Sequence, residues 1–171
     1  HVAAVLAELR QLALTAHDGV IPGLARPRGA VPLLPFFTQA LTQGATSEAR
    51  EQGARGLGEL VAAMPEEIFR PLSMQIIGPL IRVMTEKFPS QVKVSILRSL
   101  VLLLSRAGPM AKAMAPQLQT CFLKTLAEPS KPVRAWTVKG VALLATLLPR
   151  PDKLLTDLLG AARLAPDKAC Q

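Results

Sequence analysis

The chain has few of the residue types on which most active sites are built. Of its 171 residues, two are histidine, two are cysteine and none is tyrosine. His1 and His17 lie near no cysteine or carboxylate pair with the spacing of metal ligands. The adjacent Glu66 and Glu67 resemble an acid–base pair, but a position at the start of a helix explains both carboxylates. The sequence therefore predicts a protein that is not an enzyme and that needs no metal and no cofactor.

Aromatic residues and long apolar runs are also scarce. Trp136 is the single tryptophan, so the chain offers few platforms on which single-stranded nucleic acid could stack. The apolar run 100–104 is far shorter than the ~20 residues that span a bilayer. Cys121 and Cys170 fit a buried thiol and a tail thiol in a reducing compartment. We therefore expect a cytoplasmic protein without a membrane partner, and the opening His1 in place of Met suggests a fragment.

Acidic residues are fewer than basic residues. Lysine and arginine total 20 against 12 aspartate and glutamate, which gives a net charge of +8 and an isoelectric point near 10.2. This excess favours an acidic partner, such as an acidic protein surface, a nucleic acid or an anionic membrane. Charge alone does not choose among the three.

Half of the residues are apolar, and many of them recur at helical spacing. The stretch 78–104 predicts two antiparallel helices, because apolar residues recur near the 3.6-residue period on both sides of a short turn. Phe88 and Pro89 are expected to end the first helix, since the residue before a proline is disfavoured in the helical region. Ser90 is then the predicted cap of the second helix.

The second helices of successive pairs can be superposed. They open on Ala49-Arg50, Val92-Lys93 and Val133-Arg134, at offsets of 43 and 41 residues. A second set of matched cations follows five residues later, at Arg55, Arg98 and Lys139. A helix pair every ~40–47 residues is the period of HEAT and armadillo repeats. Each first helix carries an early proline, and glycines at 53, 56 and 58 predict a close helix approach.

These features predict an all-α fold, an α-solenoid of HEAT (armadillo-type) repeats with about three to four helical hairpins. We expect one HEAT-repeat segment over residues 1–171, with repeats near 30–64, 71–105 and 107–148 and partial repeats at both ends. The alternative is an unrelated all-helical bundle, but such a bundle would not need a proline and a cation repeated at matched places.

Several cations fall on successive helices of the two central repeats. They are Arg82, Lys87, Lys93, Lys112 and Lys124. They form either an ordinary solvated face or a docking strip for an acidic domain. Charge does not decide between the two, because each surface ion pair contributes only ~0–1 kcal/mol and a contact needs several.

Three stretches carry a resemblance to a known family. They are the segment from Ile21 to Leu41, the motif Ile77-Gly-Pro-Leu-Ile-Arg82, and Pro116-Gln-Leu-Gln119 with Phe122 and Lys124. The chain resembles the general control nonderepressible protein one family, the very large HEAT-repeat activators of translation control. The resemblance covers roughly residues 20–148, and beyond Leu159 none is found.

The resemblance implies a function of docking rather than chemistry. Family members contact the RWD domain of the general control kinase, which phosphorylates the alpha subunit of initiation factor two, and they bind ribosomes. The arginine that the family directs at the kinase falls on Arg82. Accompanying basic positions fall on Lys87, Lys93 and Lys112, and a family aromatic falls on Met114.

Two other functions remain open at this point. A basic HEAT solenoid of this kind could bind RNA, the ribosome or another protein without any role for a kinase. A transport-receptor array is the third possibility, but the acidic or Trp/Asn-lined ladders expected of it are absent.

Overall fold

The computed structural model describes residues 1–164, apart from the side chains of Pro109, Ala111 and residues 162–164. Within that range the fold is all helical. The helices are α1 Val2–Thr15, α2 Leu33–Gln43, α3 Ser47–Ala63, α4 Glu66–Met84, α5 Ser90–Ala107, α6 Ala111–Leu126, α7 Lys131–Leu147 and α8 Asp152–Leu164. Short 3₁₀ turns occupy His17–Gly19 and Gly108–Met110.

The helices stack in two layers, which confirms the predicted solenoid. The hairpins α2–α3, α4–α5 and α6–α7 follow one another, and their second helices pack closely side by side. The first helices α2, α4 and α6 approach one another much less. We call the layer of first helices the outer layer and the layer of second helices, α3, α5 and α7, the inner layer. The helix α1 packs on α3 and extends the inner layer, whereas α8 packs on α6. One continuous apolar core runs between the layers.

Helix starts are defined by local sequence, as the first residues of α3 and α5 show. Thr46 caps α3, because its side-chain oxygen accepts a hydrogen bond of 3.1 Å from the backbone N–H of Ala49. The predicted cap Ser90 is wrong. Ser90 is the first residue of α5, and Pro89 holds the cap position without a side-chain hydrogen bond.

The glycines of α3 lie where neighbouring helices approach it closely, as predicted from their small size: Gly53 and Gly56 face α2, and Gly58 faces Ser99 of α5. A Cβ on Gly53 would overlap the backbone of Leu41, and one on Gly56 would overlap the ring of Phe37. On α7, a Cβ on Gly140 would lie 2.6 Å from the ring of Phe122. The two layers can therefore approach this closely only where the second helix lacks a side chain.

The helix α4 begins earlier and ends earlier than the sequence predicts. It runs without interruption from Glu66 to Met84, with Pro71 and Pro79 inside it. An interior proline removes a backbone hydrogen bond, and burial of side chains such as Phe69, at 0% exposure, offsets this loss. The helix ends four residues before Phe88. Phe88 instead lies in the following loop, with the guanidinium of Arg50 4.6 Å above its ring.

Arginines near the starts of two second helices donate to backbone carbonyls at the end of, or just after, the first helix of the same hairpin. Arg50 donates to the carbonyls of Leu41 at 3.0 Å and Thr42 at 2.7 Å, at the end of α2. Arg134 donates to the carbonyls of Glu128 and Pro129, both at 2.8 Å, just after α6. The last carbonyls of a helix lack internal partners and carry partial negative charge. The repeated cation therefore has a structural function at these two positions.

Candidate protein-docking surface

Arg82 lies on the last turn of α4 with its side chain in solvent. Its backbone carbonyl accepts a hydrogen bond of 2.7 Å from the Thr85 hydroxyl, which fixes the end of the helix. No carboxylate of the described residues lies within 4 Å of its guanidinium. By contrast, Arg70 on the same helix is paired with Glu66. Arg82 is therefore free to pair with a carboxylate of another molecule.

Lys87 is exposed in the loop between α4 and α5, at the edge of a cavity of about 200 Å³. The cavity lies between this loop, the start of α5 and the end of α6. Its walls also include Glu86, Lys93, Lys124 and Glu128. Three lysines and two glutamates thus surround one small depression, and a single cationic surface is not formed there.

Lys93 departs from the prediction of an outward cation. Its ammonium donates to a carboxylate oxygen of Glu128, and its side chain is only 12% exposed. Glu128 lies in the loop after α6, in the next hairpin. The sequence does not reveal Glu128 as the partner of Lys93, because 35 residues separate the two and no local pattern connects them. Lys93 therefore joins two neighbouring hairpins, and reaching a partner would require breaking that pair.

Lys112 is exposed but lies far from the others. It is in the first turn of α6, whereas Lys124, which shares the cavity with Lys87, is in the last turn. At a rise of 1.5 Å per residue, the helix separates the two lysines by about 18 Å. The structure thus brings Lys87 and Lys93 together with Lys124, and leaves Lys112 at the opposite end of α6.

The prediction that Met114 contacts a partner needs a correction. Its side chain is 1% exposed and belongs to the apolar core, beside Leu118 and Phe122 on the buried face of α6. The stripe of apolar residues at helical spacing already indicates that inward position. A bound protein could not touch this side chain without repacking the helix.

Cys121 lies in the wall of the same cavity and is 3% exposed. Burial raises the pKa of its thiol to about 11 from an ordinary 9.0, and the nearby Lys124 ammonium opposes the rise only in part. The folded chain therefore keeps the neutral thiol at a pH where the unfolded chain already ionises it. This difference favours the unfolded state at high pH.

We expect the free energy of unfolding to be unaffected by Cys121 below pH 9 and to fall by about 2–3 kcal/mol as the pH rises from 9 towards 11. Chemical denaturation of a Cys170→Ser variant at several pH values measures the fall. The same series on Cys121→Ala/Cys170→Ser measures the fall that other groups, such as lysines, cause. The difference between the two variants is the contribution of Cys121. Equal slopes for the two variants would contradict the assignment.

Two further observations concern membrane-spanning helices and metal sites. No helix in residues 1–164 is long and apolar enough to cross a membrane. In the same part of the chain, no three histidine, cysteine, aspartate or glutamate side chains are grouped so that they could hold a metal ion.

Comparison with known proteins gives a consistent set of relatives. The chain is 38% identical over 139 residues to the "eIF-2-alpha kinase activator GCN1" of Dictyostelium discoideum, covering 81% of the chain and 5% of that protein. It is 31% identical over 161 residues to the human "Stalled ribosome sensor GCN1", covering 94% of the chain and 6% of that protein. It is 41% identical over 146 residues to "Protein ILITYHIA" of Arabidopsis thaliana, covering 85% and 5%. No family model and no solved structure matches the chain.

Proposed function

Because the chain belongs to the GCN1 family and spans about 5% of the length of its relatives, we propose that it is a non-enzymatic docking segment of a kinase activator. In this proposal it binds the RWD domain of the general control kinase in the cytoplasm. Other parts of the protein hold the ribosome, so that kinase and ribosome are brought together when amino acids are scarce. The repeats at 30–64, 71–105 and 107–148 form the support on which the docking side chains stand.

The exposed and unpaired side chain of Arg82 is the single observation that carries this proposal. It stands on the outer layer, at the end of the motif that resembles the family. A guanidinium presents a planar fork of donors that fits a carboxylate in two places at once. Lys87 is exposed three residues beyond the end of α4 and supplies a second charge. Lys93 contributes indirectly, because its pair with Glu128 holds the neighbouring hairpins in register.

The test is a binding titration of the isolated kinase RWD domain against this chain. We expect Arg82→Ala to weaken binding about tenfold, equivalent to ~1.4 kcal/mol, and Arg82→Lys to weaken it less. Arg70→Ala is the matched control, because Arg70 is on the same helix but is paired with Glu66. It should change the affinity less than about twofold, within the small contribution of exposed pairs.

Two results would contradict the proposal. One is an equal loss of affinity for Arg82→Ala and Arg70→Ala. The other is binding to RNA that is stronger than binding to the RWD domain and falls steeply with salt, as expected when phosphate contacts release counterions. The second result would instead favour a basic solenoid that binds RNA or the ribosome.

A further inference from the structure

A second row of cations lies on the inner layer, away from Arg82. Arg55 on α3, Arg98 on α5 and Lys139 on α7 occupy matched positions, 43 and 41 residues apart. Packed helices have axes 8–10 Å apart, so the three cations cross the inner surface at intervals of about that length.

The members of the row differ in what flanks them one turn away on the same helix. Arg55 lies between Glu51 and Glu59, and its Nη1 atom is 3.5 Å from a carboxylate oxygen of Glu51. Glu59 accepts a bond of 2.9 Å from Arg10 of α1. Residues four apart on a helix face the same side. The charge of Arg55 is therefore balanced within the chain.

Arg98 has no such balance. The positions one turn before and after it are Val94 and Leu102, both half-buried, and Arg98 itself is exposed. Its guanidinium has no carboxylate within 4 Å among the residues that the structure describes. It is thus an uncompensated cation between two apolar side chains.

Lys139 repeats this arrangement on the next helix. Its flanking positions are Ala135, which is exposed, and Leu143, which is half-buried. Its ammonium lies 4.4 Å from the centre of the half-buried Trp136 ring. No carboxylate in residues 1–164 lies within 4 Å of it. The two neighbouring helices therefore share the same surface chemistry, which is a free cation among apolar groups.

We propose that Arg98 and Lys139, with the apolar groups around them, form a docking site for an acidic amphipathic helix of a partner protein. Carboxylates seven residues apart on an α-helix are about 10.5 Å apart along its axis, which matches the spacing between packed helices. Apolar side chains flanking those carboxylates would cover Val94 and Leu102, which are half-buried on either side of Arg98. A nucleic acid fits this surface less well, because its backbone charge is uniform whereas each cation stands among apolar groups, and the ring of Trp136 is already covered by Lys139.

The probe is a synthetic 21-residue helical peptide, a length of about 30 Å, with glutamate at every seventh position and leucine one turn from each glutamate. Trp136 is the single tryptophan and lies beside Lys139, so its fluorescence reports binding directly. We expect a saturable change in emission that weakens as salt is raised. The variant Arg98→Gln/Lys139→Gln should lower the affinity about tenfold, equivalent to ~1.4 kcal/mol, because it removes both uncompensated charges.

Arg55→Gln is the matched control, because it removes a cation of the same row that already has a partner. Its affinity for the peptide should stay within about twofold of the unmodified chain. A scrambled peptide of equal composition should bind at least about tenfold more weakly, since only the ordered spacing fits the surface. Absence of binding, equal loss for Arg55→Gln and the double variant, equal affinity of the scrambled peptide, or tighter binding of polyuridylate would each overturn the inference.

Discussion

Replacement of Gly56 by alanine is expected to lower the free energy of unfolding by about 3 kcal/mol, the upper range for overpacking a dense core. The added methyl group would overlap the ring of Phe37, which is 0% exposed and makes an edge-to-face contact with Phe36. The ring cannot swing into solvent, so α2 has to move away from α3. Urea denaturation followed by circular dichroism measures the loss.

A control and a double variant make this result specific. Gly160→Ala also adds a methyl group to a helical glycine, but nothing lies within 4 Å of it, so we expect a gain of about 0.5–1 kcal/mol. Phe37→Ala alone should cost about 3–5 kcal/mol. Combined with Gly56→Ala it should cost less than the sum, because the smaller side chain leaves room for the methyl group. Strictly additive losses would show that the two residues do not collide.

Replacement of Arg106 by methionine is expected to cost about 3 kcal/mol through the loss of several charged hydrogen bonds. The guanidinium at the end of α5 donates to the carbonyls of Val61, Ala62 and Met64, with the bonds to Ala62 and Met64 at 3.2 and 2.7 Å. These carbonyls end α3 and have no other helical partner. The guanidinium also lies 5.8 Å from the ring of Phe69. Its removal should therefore loosen the contact between two hairpins.

Arg98→Met on the same helix is the matched control, because Arg98 is exposed and unpaired in the described residues. It should change the free energy of unfolding by less than about 0.5 kcal/mol. Arg106→Lys should fall between the two, since lysine keeps the charge but cannot reach several carbonyls with one fork. Thermal unfolding gives an independent measure. Similar losses for Arg98→Met and Arg106→Met would contradict the capping assignment.

The parts of the fold that depend on local periodicity could be predicted from the sequence. The all-helical hairpins follow from apolar residues at helical spacing, and the tight approach at Gly56 follows from the unusual cluster of glycines on α3. The repeat itself was visible because cations and prolines recur at nearly constant offsets.

The errors have a common physical origin, which is tertiary packing. Pro71 and Pro79 usually break helices, but α4 is buried along enough of its length to continue through both. For the candidate site, sequence placed Arg82 and Lys87 correctly at the surface. It could not show that Glu128 neutralises Lys93, because that contact depends on how one hairpin stacks on the next. Lys112 was grouped with the other cations although its place in the first turn of the predicted helix already separates it from Lys124 in the last turn.

The polar links between hairpins each join immediate neighbours: Arg50 with Phe88, Arg106 with the end of α3, and Lys93 with Glu128. In a one-dimensional array of this kind, a load applied to one end has to pass through every joint in turn. The segment is therefore expected to behave as a soft spring. Under tension its curvature should open joint by joint, and a ligand that bridges two joints would stiffen it locally.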